Sequence, residues 1–274
     1  MKNILVATDF SPASRNAVKY AVSLAQSFRA KIILVNIVTP PIIVDDSILA
    51  SVLVTQAEIM EANKKLMDQE IEILTKKYSV KMIGFTREGF ALDKIEEMSK
   101  VKHADFIVMG MKGKGKSKSV FGSTTTAIIR KTTFPVLVIP EKAVFSPIRN
   151  ITFASDFDSS VDLDRYTVLL GIAENFNSLI NIINVQKAKS SLSAEKAIGK
   201  MKTSLAFSRH EHQFHTIKDS KVEEGINKFI EMNPTDILVM VAHKHSLFER
   251  MFGKVHTKAM SYQTKIPLLV LQSK

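Results

Sequence analysis

The sequence predicts an α/β protein made of two tandem copies of one unit, each a five-stranded parallel sheet flanked by helices. Three observations lead there. The 274 residues suit two modest domains better than one, at roughly 150 residues per domain. The chain also aligns with itself: KNILVATDF (2–10) matches RNITFASDF (149–157), ADFIVMG (104–110) matches TDILVMV (235–241), and FPVLVIP (134–140) matches IPLLVLQ (266–272). Within each copy, short β-branched apolar runs alternate with longer stretches of helical period, the pattern of right-handed βαβ crossovers.

In the first copy the strands are expected near 3–8, 31–38, 81–86, 105–110 and 135–139, with helices near 12–29, 52–78, 90–102 and 122–132. Ser11 followed by Pro12 reads as a helix cap and first-turn proline. Ala17, Val18, Ala21, Leu24, Ala25 and Phe28 then recur at helical spacing and mark the face turned to the sheet. The second copy places strands near 150–155, 178–185, 212–217, 236–242 and 267–271, with helices near 160–176, 193–208, 220–232 and 254–263. The expected domains are 1–140 and 150–274, joined by a linker over 141–149 that holds Pro147. The offset between copies falls from 147 at the first strand to 131 and 132 at the fourth and fifth. The first copy therefore holds about sixteen extra residues, and its apolar segment PPIIVDDSILASVLV, residues 40–54, is their natural location.

Composition narrows the chemistry. A chain that is 45% hydrophobic and 24% charged, with 10 Gly and 8 Pro, is neither collagen-like nor low-complexity. With Cys 0, disulfide scaffolds, thiolate zinc sites and Cys nucleophiles drop out. No apolar N-terminal run marks export, and the longest uncharged stretch, 32–44, is shorter than the ~18 residues of a membrane helix. A cytoplasmic protein is the expectation. The formal net charge of +11 favours anionic partners and is shared by both halves. One local cluster stands out, MKGKGKSKS over Met111 to Ser119.

In an open parallel sheet, ligands bind beyond the carboxyl ends of the strands where strand order reverses. Here those ends present Thr8-Asp9, Ile37-Val38, Thr86-Arg87 and Met109 to Gly113. The strand ADFIVMG runs into Gly110-Met-Lys-Gly113-Lys-Gly115, and a helix restarts at Gly122-Ser123-Thr124. Glycines admit close backbone approach to an anion, and a helix N-terminus adds unpaired N–H groups and partial positive charge. The segment matches neither the Walker A pattern nor GxGxxG. Asp9 has two readings, a ligand to a bound molecule or a turn and cap residue before Ser11-Pro12.

Strands ending in TDFS and VNIV, the G-x2-G loop, the GST helix start and the closing FPVLVIP strand together resemble the universal stress protein family, over essentially the whole chain and in tandem. The resemblance implies two Rossmann-like, adenine nucleotide alpha hydrolase-like domains. It also implies a stress-response regulatory protein that binds ATP, with Mg2+, in its N-terminal domain, with little or no hydrolysis. By resemblance, Asp9 and the backbone of Ile37 face the adenine, and Thr8 and Met109 line its pocket. Gly110, Gly113, Gly122, Ser123 and Thr124 hold ribose and phosphates. The family's nucleotide-binding pattern has nine residues between its second glycine and G-[ST]; here eight, Lys114 to Phe121, intervene. The family also pairs two such domains through their last strands, which implies an intramolecular pseudo-dimer of VLVIP and LLVLQ and allows a homodimer of whole chains.

The second copy reads VAHKHSLFERMFGKVHT where the first has GMKGKGKSKSVFGST, so Ala242 and His245 replace two glycines and ATP binding of the family's kind is not expected there. Six of the seven histidines lie in this half, and His243, His245 and His256 are candidate metal ligands. No Ser-His-Asp order, HExxH or kinase signature is present, so a binding protein is favoured over an enzyme. The alternative is a non-nucleotide interaction scaffold whose C-terminal domain binds a metal or another ligand. Nucleic acid ranks last, with Trp 0 and Tyr 4 offering no aromatic-interleaved basic face.

Overall fold

The structure, a computed structural model, describes residues 1–40, 49–111, 121–158, 162–186, 192–242 and 265–272, the side chains of 49–54 and 163 excepted. Its first half runs β1 (Asn3–Ala7), α1 (Pro12–Phe28), β2 (Lys31–Val38), α2 (Leu49–Lys77), β3 (Lys81–Glu88), α3 (Ala91–Val101), β4 (Phe106–Gly110), α4 (Ser123–Lys131) and β5 (Val136–Ile139). The second half runs β6 (Asn150–Ala154), a 3-10 turn (Leu163–Tyr166), α5 (Thr167–Phe176), β7 (Leu179–Gln186), α6 (Ala194–Ala206), β8 (His212–Lys218), α7 (Val222–Met232), β9 (Ile237–Ala242) and β10 (Leu268–Gln272).

Local chemistry accounts for the element ends. The Ser11 hydroxyl accepts the Ser14 N–H at the start of α1, Pro12 occupies its first turn, and Arg29 closes it in a left-handed conformation at φ 53°. Asn177 closes α5 in the same way at φ 52°. Each half then repeats one fastening: Asp105 accepts the backbone N–H groups of Lys2 and Asn3, and Asp236 those of Arg149 and Asn150. These carboxylates tie the first strand of each half to the fourth.

The ten strands of the described residues form one sheet in the order β3-β2-β1-β4-β5-β10-β9-β6-β7-β8. Pairing is parallel within each half. Only β5 and β10 run antiparallel, with Leu137 opposite Leu269, so the last strands of the two copies meet at the centre. One face of the sheet packs against α1, α2, α5 and α6 through residues such as Leu24, Leu74, Ile172 and Phe207. The other packs against α3, α4 and α7 through Ile95, Ile129 and Phe229. Among the described residues, no helix is long and apolar enough to cross a membrane.

Two expected elements differ. The helix expected from 52 starts at Leu49 and reaches 29 residues, so part of the apolar insert forms the first turns of α2, while 41–48 lie outside the described residues. The helix expected from 160 begins instead with the 3-10 turn, where the Asp162 carboxylate accepts the Asp164 N–H, and α5 starts only at Thr167. In the first half, Gly110 of the fourth strand lets the first turn of α1 approach closely: a Cβ there would lie 3.0 Å from the backbone of Ala13. The residue opposite Gly110 in the alignment of ADFIVMG with TDILVMV is Val241, and that opposite Gly113 is Lys244, rather than the Ala242 and His245 expected from the loop comparison. The helix expected over 254–263 lies outside the described residues.

Residues 140–148 cross from one half to the other along α1. Asn16 Nδ2 donates to the carbonyls of Pro140 and Ala143, at 3.0 and 2.9 Å. Phe145 packs edge-on against Tyr20 (5.1 Å between centroids) and against Phe176, which in turn meets Phe28 of the first half. Burial, with the nearby Asp236 charge, pushes the Tyr20 phenol well above its ordinary range, so it stays neutral.

In the second half, Phe153 has 0% exposure and makes edge-on contacts with Tyr166 and Phe207. Phe153→Ala is expected to cost about 3–5 kcal/mol, as a cavity that neighbouring rings fill only in part. Urea unfolding followed by circular dichroism checks this; a loss below about 1 kcal/mol would show that the cluster collapses into the gap.

Candidate functional site

The strand order 3-2-1-4-5 reverses between β1 and β4, and this opens a cleft beyond their carboxyl ends. Its floor is built by hydrogen bonding from the strand ends. Thr8 N–H donates to the Val35 carbonyl, and Gly89 N–H donates to the Val38 carbonyl. Backbone groups alternate sides along a parallel strand. Residues 36 and 38 of β2 therefore face β3, while 35 and 37 face β1. But β1 ends at Ala7, and the Thr8 carbonyl beyond it is taken by Asn36 Nδ2 at 2.9 Å. The N–H and carbonyl of Ile37 thus face the cleft as an adjacent donor and acceptor for which the sheet offers no partner.

Thr8 and Asp9 are bound into the start of α1. The Thr8 hydroxyl donates to Ser14 Oγ (3.2 Å) and accepts the Phe10 N–H (3.1 Å), leaving Thr8 5% exposed. Asp9 Oδ1 accepts the Ser11 N–H at 3.0 Å, a turn that goes with the left-handed Phe10 at φ 59°. The turn reading of Asp9 is thus present in the geometry, with the half-buried carboxylate at the mouth of the cleft.

Met109 is buried in β4 among the side chains facing α3 and α4, and Gly110 ends that strand. Gly110 receives the first turn of α1 against its Cα and gives its carbonyl to the Thr125 hydroxyl (3.1 Å). Its lack of a side chain therefore serves helix packing. Gly113 and the loop lysines lie outside the described residues. The loop is closed at its base by Gly122 N–H donating to the Met111 carbonyl at 2.9 Å. Gly122 then caps α4 with no side-chain acceptor, and Ser123 and Thr124 stand exposed on its first turn. The amides of that turn remain donors with a partial positive charge. The structure thus brings Thr8, Asp9, Ile37, Met109, Gly110, Gly122, Ser123 and Thr124 to one end of the sheet.

Asn36 was not among the residues expected at the site. It is 3% exposed, and its Oδ1 has no partner among the described residues; nor does the buried Thr86 hydroxyl, opposite it in the β2–β3 register. A signal was present in the sequence, since Asn36 in VNIV matches Asn184 in INVQ. Asn184 Nδ2 likewise donates to the Ser155 carbonyl, but its Oδ1 accepts Gln186 Nε2, from the position where the first half has Val38. The second half repeats the rest of the frame, with Phe157 left-handed at φ 56° and its N–H on Ser155 Oγ.

The candidate metal ligands His243, His245 and His256 lie outside the described residues. Among the described residues no group of three His, Cys, Asp or Glu could hold a metal ion. His215 and His212 serve packing: His215 meets Asn181 Oδ1 at 2.9 Å and stacks near Phe229, and His212 lies between Phe207 and Phe214.

Sheet and cleft define a doubly wound α/β protein, duplicated in one chain, with its open crevice at the switch point of the first half. The model of the universal stress protein family matches residues 1–140, and the chain belongs to that stress-response family. The universal stress protein Slr1230 of Synechocystis sp. is 25% identical over 294 residues, spanning 99% of this chain and 100% of that protein. Universal stress protein MJ0531 of Methanocaldococcus jannaschii is 28% identical over 139 residues, 50% of this chain and 81% of that one. A universal stress protein of Archaeoglobus fulgidus superposes with a TM-score of 0.70 at 17% identity over 98% of both chains, a likeness of fold.

Gly110→Ala sets a methyl group 3.0–3.1 Å from the backbone of Ala13 and Ser14. It is expected to destabilise the chain by about 1–3 kcal/mol through overpacking. Urea titration of the variant against the unsubstituted chain checks this; an unchanged midpoint would contradict it.

Proposed function

We propose that the cleft of the first half binds an adenine nucleotide, and that the chain is a regulatory binding protein whose occupancy alters its associations. The observation that carries this reading is the donor and acceptor of Ile37 left facing the cleft. An adenine edge presents a matching acceptor beside an amino donor. The uncapped N-terminus of α4 supports it, because phosphate oxygens satisfy amides that no side chain caps. The residues present fit such a ligand: Ile37 would hold the base, and Gly122, Ser123 and Thr124 the phosphates, joined by Gly113 as the second glycine of the family's phosphate pattern. ATP is the expected nucleotide, with Mg2+ accompanying its phosphates. Hydrolysis is expected to be slow or absent.

The proposed division is 1–140 and 150–274, with the second domain outside ATP binding, in a cytoplasmic protein that is free to form a homodimer. The scaffold reading has an observation of its own: Ile198, Met201 and Leu205 form an exposed apolar row on α6, fit for a protein partner.

A thermal-shift titration with ATP·Mg2+, ADP and AMP tests the nucleotide reading. At a hundredfold excess over Kd, linkage adds about 2.7 kcal/mol, which for a chain of this size raises Tm by roughly 5 °C or more. Gly113→Val is expected to remove the shift, with the unliganded Tm of the variant measured alongside. No shift with any nucleotide, or one indifferent to Gly113, would sink the reading and favour the scaffold.

A further inference from the structure

The two halves share one frame but not one charge pattern at the end of the sheet opposite the cleft, where the strands begin and the helices between them end. Lys31 opens β2 and Lys81 opens β3, and the two are direct neighbours in the β2–β3 register. Two residues further on come Ile33 and Ile83, then Val35 and Phe85, all on the side of the sheet that packs against α3 and α4. By strand alternation both lysines stand at the edge of that face. Helix α4 ends there in the exposed Arg130 and Lys131, and Lys102, which closes α3, holds its ammonium over the Phe85 ring at 4.4 Å. Lys94 and Lys100 of α3 are paired with Glu97 and Glu96. Among the described residues, Lys31, Lys81, Lys102, Arg130 and Lys131 make no ion pair.

Like charges side by side on strands about 4.8 Å apart repel each other. The second half shows that the frame does not require them. Asn36 lies opposite Thr86 as Asn184 lies opposite Thr216, and five residues back along each strand Leu179 and Glu211 take the places of Lys31 and Lys81. In the alignment of ADFIVMG with TDILVMV, Lys100 and Lys102 likewise match Glu231 and Asn233. The last turns of α2, α3 and α4 carry basic residues, whereas those of α5, α6 and α7 carry none. A cation suits the carbonyl end of any helix. That need is equal in both halves, so it does not account for a charge that only one of them has.

The residue types point to the kind of partner. Lysine is depleted at protein–protein interfaces, where aromatic residues are enriched, and four of these five cations are lysines. As point charges they suit phosphate oxygens. The lack of an aromatic-interleaved basic face weighs against single strands, whose bases stack. A duplex backbone is held by such charges with no stacking at all. We propose that the α3/α4 face at the amino end of the first half's strands is a sequence-independent contact surface for the phosphate backbone of double-stranded nucleic acid. The surface lies at the opposite end of the sheet from the nucleotide cleft and does not rest on that reading.

The test is fluorescence anisotropy of the full chain with a labelled DNA duplex of about 20 base pairs, at salt from about 50 to about 200 mM. Saturable binding in the micromolar range is expected at the lowest salt, with log K falling against log salt by about 0.9 for each phosphate neutralised. The triple variant Lys81→Gln, Arg130→Gln and Lys131→Gln alters exposed side chains only. It is expected to weaken binding about tenfold or more at the lowest salt and to flatten that slope by about 3. Lys81→Glu turns the like-charged neighbours into an ion pair, so it weakens binding while its Tm stays at or above that of the unsubstituted chain, which separates loss of contact from loss of fold. The proposal is overturned if the duplex does not bind, if the triple variant binds as the unsubstituted chain does, or if glutamine at Lys112, Lys114, Lys116 and Lys118 removes the binding instead. Displacement by poly-glutamate at the charge concentration at which unlabelled duplex displaces would assign the face to acidic protein segments and equally overturn it.

Discussion

The antiparallel pairing of β5 with β10 is the contact on which the rest of the architecture hangs. Strands Val136–Ile139 and Leu268–Leu271 are buried throughout, on both faces of the sheet. Parallel sheets need cover on both faces, and an apolar strand at an edge exposes unpaired backbone groups that invite association. Either half alone would end in such a strand. Joining the two last strands removes both edges at once. The outer strands β3 and β8 are then the sheet's edges, and they are the ones with half-exposed residues and charged ends.

The direction of that pairing has consequences. Antiparallel strands related by an axis normal to the sheet put corresponding helices on the same face, so α1 and α5 become neighbours and Phe28 meets Phe176. The linker must cross this helix-lined face, and it does so by giving two carbonyls to Asn16 and a ring to Tyr20. A parallel junction would have sent α1 and α5 to different surroundings.

Much of this was legible in the sequence because it rests on repetition. Asp105 and Asp236 fasten strands through backbone N–H groups, a requirement both copies share, so the same letter recurs in the same frame. Ser11-Pro12 announced α1 because capping chemistry is local. The late start of α5 was not legible: the 3-10 turn that precedes it is held by the Asp162 carboxylate on the Asp164 N–H, a local bond that helical periodicity does not reveal. The site was readable only in outline for a similar reason. Thr8, Asp9 and Gly110 are visible as strand-end residues, but their hydrogen bonds to the first turn of α1 depend on packing. The contribution of Ile37 is made by its backbone, which carries no residue-specific letter.

The two copies show where duplication has been followed by divergence, and the changes sort by place. Residues that hold the frame are kept: the fastening aspartates, the left-handed Phe10 and Phe157, and Asn36 with Asn184. Residues that face open space are not. Gln186 satisfies the carboxamide that Val38 leaves unpaired, so the second cleft completes with its own side chains a polar requirement that the first leaves open. A buried acceptor without a partner costs on the order of 1–3 kcal/mol. Keeping one at Asn36, where the sister position shows how a single glutamine satisfies it, accords with the proposed reading of the first cleft as a binding site.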